Sequence, residues 1–89
     1  AAALEWYRRA AEQGNAAAQL SLGLALARGE GGPQDVVLAH KWLNLAAAQG
    51  EADAAIARDA VARRMTPQQI SDAQKAAREW KRRRGRAGS

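Results

Sequence analysis

The sequence predicts an all-α protein whose helices pair into hairpins and stack as an α/α solenoid of about five helices. Alanine is abundant, whereas valine, isoleucine and threonine are too few for a sheet, which favours helix throughout. Apolar residues recur with helical spacing along most of the chain. The chain also repeats itself at a fixed offset, which is typical of helical repeat proteins.

The internal repeat is anchored by two tryptophans. Trp6 and Trp42 lie 36 residues apart. At this offset several small residues also align: Ala3 with Ala39, Ala10 with Ala46, Ala11 with Ala47, Gly14 with Gly50, and Ala16 with Ala52. Chance aligns one tryptophan easily but not the whole set, so the two segments are copies of one structural unit.

Helix boundaries in the first copy follow from capping residues. A helix is predicted over residues 2–13, and Gly14 ends it because glycine takes a left-handed conformation cheaply. Asn15 is the expected N-cap of a second helix over 16–28. Gly29 begins the turn that follows. The apolar stripe of the first helix is Ala3, Trp6, Tyr7, Ala10 and Ala11.

The second copy repeats this arrangement. A third helix is predicted over residues 34–49, with Asp35 in its first turn, where an acidic side chain favours the positive end of the helix dipole. Gly50 ends this helix as Gly14 ended the first. A fourth helix is predicted over 52–64.

The start of the fifth helix carries a strong capping signal. Thr66 is the expected N-cap, Pro67 occupies the first helical position, and Gln69 closes a capping box. The helix is predicted to reach about residue 83. Its stripe is Ile70, Ala73, Ala77 and Trp80.

The helices differ in how much of their surface is apolar. Helix 16–28 is apolar nearly all round, so it is expected to lie between two other layers. Helix 52–64 has one polar face, which is typical of a terminal repeat followed by a cap. The residues of that face are Arg58, Asp59, Arg63 and Arg64. The N-terminal edge carries Ala1, Leu4 and Tyr7, so we expect further repeats before residue 1, or a second copy paired with this edge.

Several motifs together resemble the bacterial type of the Sel-one-like repeat family, a relative of the tetratricopeptide repeats. They are the run from Trp6 to Gln19, the pair Leu22-Gly23, the segment Gly29–Asp35, and Ala39 with Trp42. The resemblance covers about residues 1–57, and it departs from the family where Leu26 and Val36 replace aromatic residues. The segment beginning at Met65 is similar to the terminal cap of bacterial members.

The resemblance implies a right-handed superhelix of antiparallel helix pairs whose concave face binds proteins, in adaptors without catalytic activity. The expected organisation is about two repeats over residues 1–64, the first truncated at its N-terminal side, then a capping helix over 65–83 and a flexible basic tail over 84–89. Structural roles are expected for Trp6, Ala10, Gly14, Leu22, Gly23, Gly29, Trp42, Ala46, Gly50, Thr66 and Trp80.

Composition limits the functions to consider. The 89 residues form one small domain or part of a larger array. Cysteine is absent, which excludes a disulfide scaffold and a thiolate metal site. No apolar run is long enough for a transmembrane helix. The chain lacks an initiator Met and a basic leader, so we interpret it as trimmed. The sequence does not decide between a bacterial cytoplasm and periplasm, because a targeting segment can have been removed.

Catalytic and cofactor chemistry finds no support in the sequence. His40 is the only histidine and is expected to be exposed. Ser21 lies within a helix and lacks a nucleophile elbow. Gly29, Gly31 and Gly32 lack the Lys-Ser/Thr pair of a phosphate loop. We therefore predict a protein that is not an enzyme, with no catalytic residue, cofactor, metal or small-molecule substrate.

Net charge suggests a second function. Five basic residues close the chain: Lys81, Arg82, Arg83, Arg84 and Arg86. They equal the formal net charge of +5, so residues 1–80 are formally neutral. Clustered arginines suit phosphate contacts, although no interleaved aromatic offers a base-stacking platform. A solvated, disordered end is the simpler interpretation, because blocks of like charge repel one another.

The favoured hypothesis is a non-enzymatic scaffold that binds proteins, and the alternative is nucleic-acid or acidic-surface binding through the basic tail. A third hypothesis is a regulatory domain cut from an enzyme. Candidate partner-binding residues are polar positions on the inner helices: Asn15, Gln19, Ser21, Arg28, Arg58, Asp59 and Arg63.

Overall fold

The protein is described by a computed structural model that covers the backbone of residues 2–88 and the side chains of residues 4–85. This part of the chain is all-α, as predicted, and contains no strand. The helices are α1 Ala2–Glu12, α2 Ala16–Arg28, α3 Val36–Ala48, α4 Ala52–Ala62 and α5 Pro67–Gly88.

Helix α2 lies at the centre of the stack, as its apolar composition predicts. It packs against α1, α3 and α4. The approach of α2 to α3 is close at Gly23, where an added Cβ would lie 2.7 Å from the side chain of Leu43. Leu43 itself is fully buried. A side chain larger than hydrogen therefore fits at position 23 only if the Leu43 side chain or α3 moves.

The turns after α1 and α3 have the same backbone conformation. Gly14 has φ 92° and Gly50 has φ 99°, a region that favours glycine. The two glycines are equivalent in the repeat, so the sequence period is also a structural period. Asn15 then caps α2 through its Oδ1 atom, which accepts a 2.9 Å hydrogen bond from the Ala18 amide. Asp35 is likewise the N-cap of α3 and lies just outside the helix, where a first-turn position was predicted.

Helix α5 starts with the capping box that the sequence predicts. The Thr66 Oγ1 atom accepts from the Gln69 amide at 3.1 Å, and Gln69 Oε1 accepts from the Thr66 amide at 2.9 Å. The predicted end of this helix near residue 83 is wrong, because α5 continues to Gly88. The expected flexible tail is therefore helical over residues 84–88. Ser89 and the side chain of Arg86 lie outside the described residues.

One side chain near the end of α5 is hydrogen-bonded to the first helix. Arg84 Nη1 donates to the Glu12 carbonyl at 2.9 Å, and Arg84 Nη2 donates to the Gln13 carbonyl. These carbonyls lie at the end of α1, where backbone acceptors lack partners within the helix. Arg84 thereby fixes the last turns of α5 against the first helix of the chain.

The two repeat tryptophans have different surroundings. Trp42 is 4% exposed and meets the Trp80 ring edge to face, with 5.6 Å between ring centroids. Trp6 is 63% exposed, so among the described residues it does not lie in the core, and its expected structural role stays a prediction. Helix α5 covers Trp42, whereas no helix of the described residues covers the corresponding side of α1. The equivalent sequence positions thus differ in packing because their neighbours differ.

Candidate functional site

Two of the predicted partner-binding residues have structural roles. Asn15 caps α2, as described above. Gln19 is 0% exposed, so its prediction as a partner-binding residue is wrong. Its Nε2 atom donates to the Ala11 carbonyl at 3.2 Å, and its Oε1 atom accepts from Gln49 Nε2 at 2.9 Å. Gln19 therefore joins the ends of α1 and α3 to α2, and a partner cannot reach it.

The remaining partner-binding candidates do not converge on one site. Ser21 is half-buried on α2, while Arg28 is exposed beside Glu30, with 3.9 Å between Nη1 and Oε1. On α4, the half-buried Arg58 donates to Asn44 Oδ1 at 3.0 Å and to Asp59 Oδ1 at 3.3 Å. Asp59 and Arg63 are exposed.

The structure assembles a different site, at the C-terminal end of α1. A pocket of about 400 Å³ opens there between α1, α3 and the second half of α5. Its lining residues are Glu12, Lys41, Trp80, Arg83 and Arg84. Sequence reasoning missed this pocket because its walls come from segments far apart in the chain. The only sequence signal was the basic run at residues 81–84.

One wall of the pocket is a hydrogen-bonded junction between α1 and α5. The Trp80 indole Nε1 donates to Glu12 Oε2 at 3.0 Å. The Arg84 guanidinium lies over the Trp80 ring, 5.5 Å from its centroid, while it donates to the carbonyls of α1. A cation at a helix C-terminus is favoured by the negative end of the helix dipole. The junction therefore fixes the shape of the pocket.

The inner end of the pocket is formed by Lys41. This side chain is 9% exposed, and its Nζ atom lies 4.4 Å from the centroid of the Trp42 ring. Burial lowers the pKa of the Lys41 ammonium, the Glu12 carboxylate opposes this effect, and Arg83 adds to it. Within the described side chains, no carboxylate forms an ion pair with this ammonium.

His40 is buried beside Lys41, so its expected exposure is wrong. It is 4% exposed, because α3 is covered by α2, α4 and α5 on most of its surface. Its Nδ1 atom is buried and has no hydrogen-bond partner among the described residues. Burial lowers the pKa of His40, the Arg58 charge lowers it further, and Asp59 partly opposes both.

The buried imidazole makes stability depend on pH. Below pH 6.5, the ordinary pKa of a histidine, the His40 imidazole binds a proton in the unfolded chain. In the folded chain it stays neutral to a lower pH because its pKa is lowered. The free energy of unfolding should therefore fall as pH drops from about 6.5 toward the lower folded pKa, by at most about 1.4 kcal/mol per pH unit. Urea unfolding at about pH 7.5 and about pH 5.5 measures this loss. The variant His40→Leu should lose much of the difference; a variant with the wild-type pH dependence would show that His40 is not its source.

The described residues contain neither a metal-ligating cluster nor a helix suited to crossing a membrane. They contain no group of three metal-ligating side chains. None of the described helices combines the length and apolar character needed to cross a membrane.

Stacked helical hairpins closed by a capping helix define the chain as an α/α repeat protein. The family model of the Sel1 repeat matches residues 1–15 and 16–51, which is more than half of the sequence. The chain therefore belongs to the Sel1 repeat family. Sel1 repeats are generally protein–protein interaction modules of a non-catalytic scaffold type. No match to a curated protein was found.

Proposed function

We propose that this chain is a non-catalytic adaptor that binds protein partners through the surface of its stacked repeats. The observation that carries the proposal is the central position of α2, which packs against three other helices. This packing joins the two hairpins into one body, and a body of this kind presents a fixed surface to a partner. Arg28, Asp59 and Arg63 keep exposed side chains and remain candidate contacts on that surface.

The alternative, nucleic-acid binding through the basic run, has less support from the geometry. Arg84 is occupied at the end of α1, which leaves Lys81, Arg82 and Arg83 as exposed cations of this run within the described side chains. The Trp80 ring lies between Trp42 and Arg84 and is therefore a poor stacking surface for a base.

The test is capture of partners by the immobilised chain from a lysate of the cells that make it, with and without nuclease. The adaptor proposal expects the same proteins to bind in both arms, with weak dependence on salt. The control is a variant with Lys81 and Arg82 changed to glutamine, which leaves the pocket residues Arg83 and Arg84 in place. A truncation after Trp80 is unsuitable because it removes the Arg84 contacts with α1.

Two results would contradict the adaptor proposal. One is loss of every bound protein after nuclease treatment. The other is a binding constant whose logarithm falls with the logarithm of salt concentration, with a slope of about 0.7–0.9 per phosphate contact, for binding that disappears in the double glutamine variant. Either result would favour nucleic-acid binding by α5.

A further inference from the structure

The Lys41 side chain is 9% exposed, and its ammonium forms no ion pair with the described side chains. The Lys41 side chain reaches the pocket at the end of α1. Its Nζ atom lies over the face of the Trp42 ring, 4.4 Å from the ring centroid. Burial of a charge is unfavourable unless the charge is paired and hydrogen-bonded. Burial disfavours the ammonium, and the Glu12 carboxylate that opposes this effect is already hydrogen-bonded to Trp80, so the ammonium is available to an anion in the pocket.

The charges around the pocket indicate that it suits a negatively charged ligand. Lys41, Arg83 and Arg84 supply three positive charges, against one carboxylate from Glu12. The Glu12 carboxylate already accepts from the Trp80 indole, and Arg84 already donates to two carbonyls. The Lys41 ammonium and the exposed Arg83 are the cations left for an anion.

The size of the pocket limits the kind of molecule that can carry the anionic group. About 400 Å³ is at the small end of the range for ligand pockets. The Trp80 ring contributes an apolar wall, which suits the methylene groups of an acidic side chain. A nucleic-acid base would need an open aromatic face for stacking, and the Trp80 ring does not supply one because it already contacts Trp42 and Arg84.

We propose that this pocket binds a carboxylate side chain from an acidic segment of a protein partner. Lys41 and Arg83 hold the carboxylate, and Trp80 contacts its aliphatic part. The inference rests on the proposed adaptor function and names the chemistry of the partner for that function.

The test follows two NMR signals of the labelled chain, the Trp80 indole N–H and the Lys41 ammonium, during titration. The probes are a short, terminally blocked glutamate-rich peptide, its glutamine counterpart, inorganic phosphate and a single-stranded oligonucleotide. We expect the glutamate peptide to shift both signals in a saturable way and to raise the pKa of Lys41. The glutamine peptide should cause neither change.

Two matched variants assign the effect to the pocket. Lys41→Met keeps the unbranched shape and removes the charge, and it should weaken binding of the glutamate peptide about tenfold, as expected for one charge-assisted contact. Lys75→Met removes an exposed charge from α5 outside the pocket lining and should bind like the wild type. Circular dichroism confirms folding, and Lys41→Met should unfold no more easily than the wild type because it removes a buried charge.

Either of two outcomes overturns the inference. In one, Lys41→Met binds the glutamate peptide as tightly as the wild type. In the other, phosphate or the oligonucleotide shifts the Trp80 signal and the peptide does not. Capture of lysate proteins by Lys41→Met separates this inference from the adaptor proposal. If Lys41→Met retains all partners, the adaptor proposal is supported and the pocket proposal is contradicted. If Lys41→Met loses partners that Lys75→Met retains, both proposals are supported.

Discussion

The variant Trp42→Ala should lose about 3–5 kcal/mol of unfolding free energy, the cost usual for removing a buried tryptophan. Trp42 is 4% exposed, and its ring contacts both Trp80 and the Lys41 ammonium. A chain of this length has a total stability of about 4–13 kcal/mol. The loss is therefore a large fraction of the total stability, and urea unfolding followed by circular dichroism measures it.

The matched control is Trp6→Ala, which removes the same side chain from the equivalent repeat position. Trp6 is exposed, and its ring contact is an edge-to-face approach to the neighbouring Tyr7. Its loss should cost less than about 1 kcal/mol, as for most surface substitutions. Equal losses in the two variants would contradict the assignment of Trp42 as buried and Trp6 as exposed.

The variant Gly23→Ala should be destabilised by about 2 kcal/mol, although alanine is the better helix former. The helix propensity of alanine favours the variant by about 1 kcal/mol, but an overpacked core costs typically about 1–3 kcal/mol. The added methyl would lie 2.7 Å from Leu43 Cγ and Cδ2 and 3.3 Å from the Ala39 carbonyl oxygen. The fully buried Leu43 has little room to move, so the upper part of that range applies.

A second glycine gives the opposite result and serves as the control. Gly85 also lies within a helix, and an added Cβ there meets no atom within 4 Å. Gly85→Ala should stabilise α5 by about 0.5–1 kcal/mol through helix propensity alone. Thermal unfolding of both variants checks the pair, and stabilisation by Gly23→Ala would show that α2 and α3 do not approach closely.

Local signals predicted the helices well because they act within a few residues. The glycines at positions 14 and 50 and the capping box at Thr66 need only their neighbours in sequence. The predicted helix end was less accurate at α5, which continues past residue 83 and contacts α1 through Arg84. That contact spans 72 residues and has no local sequence signature.

The errors at single residues have the same physical origin. Gln19 and His40 are polar, and polarity on a helix ordinarily indicates exposure. Both are buried because their helices are covered on more than one side. Trp6 and Trp42 differ in burial because a repeated residue has the same surroundings only where the neighbouring helices are repeated too. Lys41 was not predicted as a site residue because its importance depends on a pocket formed by three helices.

The contact of Arg84 with the end of α1 has a consequence for cooperativity. In an open array each unit touches its neighbours, so terminal units fray independently. Here the last helix holds the first, which joins the two ends of the described chain in one opening event. The amides of α1 and α5 should then exchange with solvent together, as a single foldon, and not as two separately fraying ends.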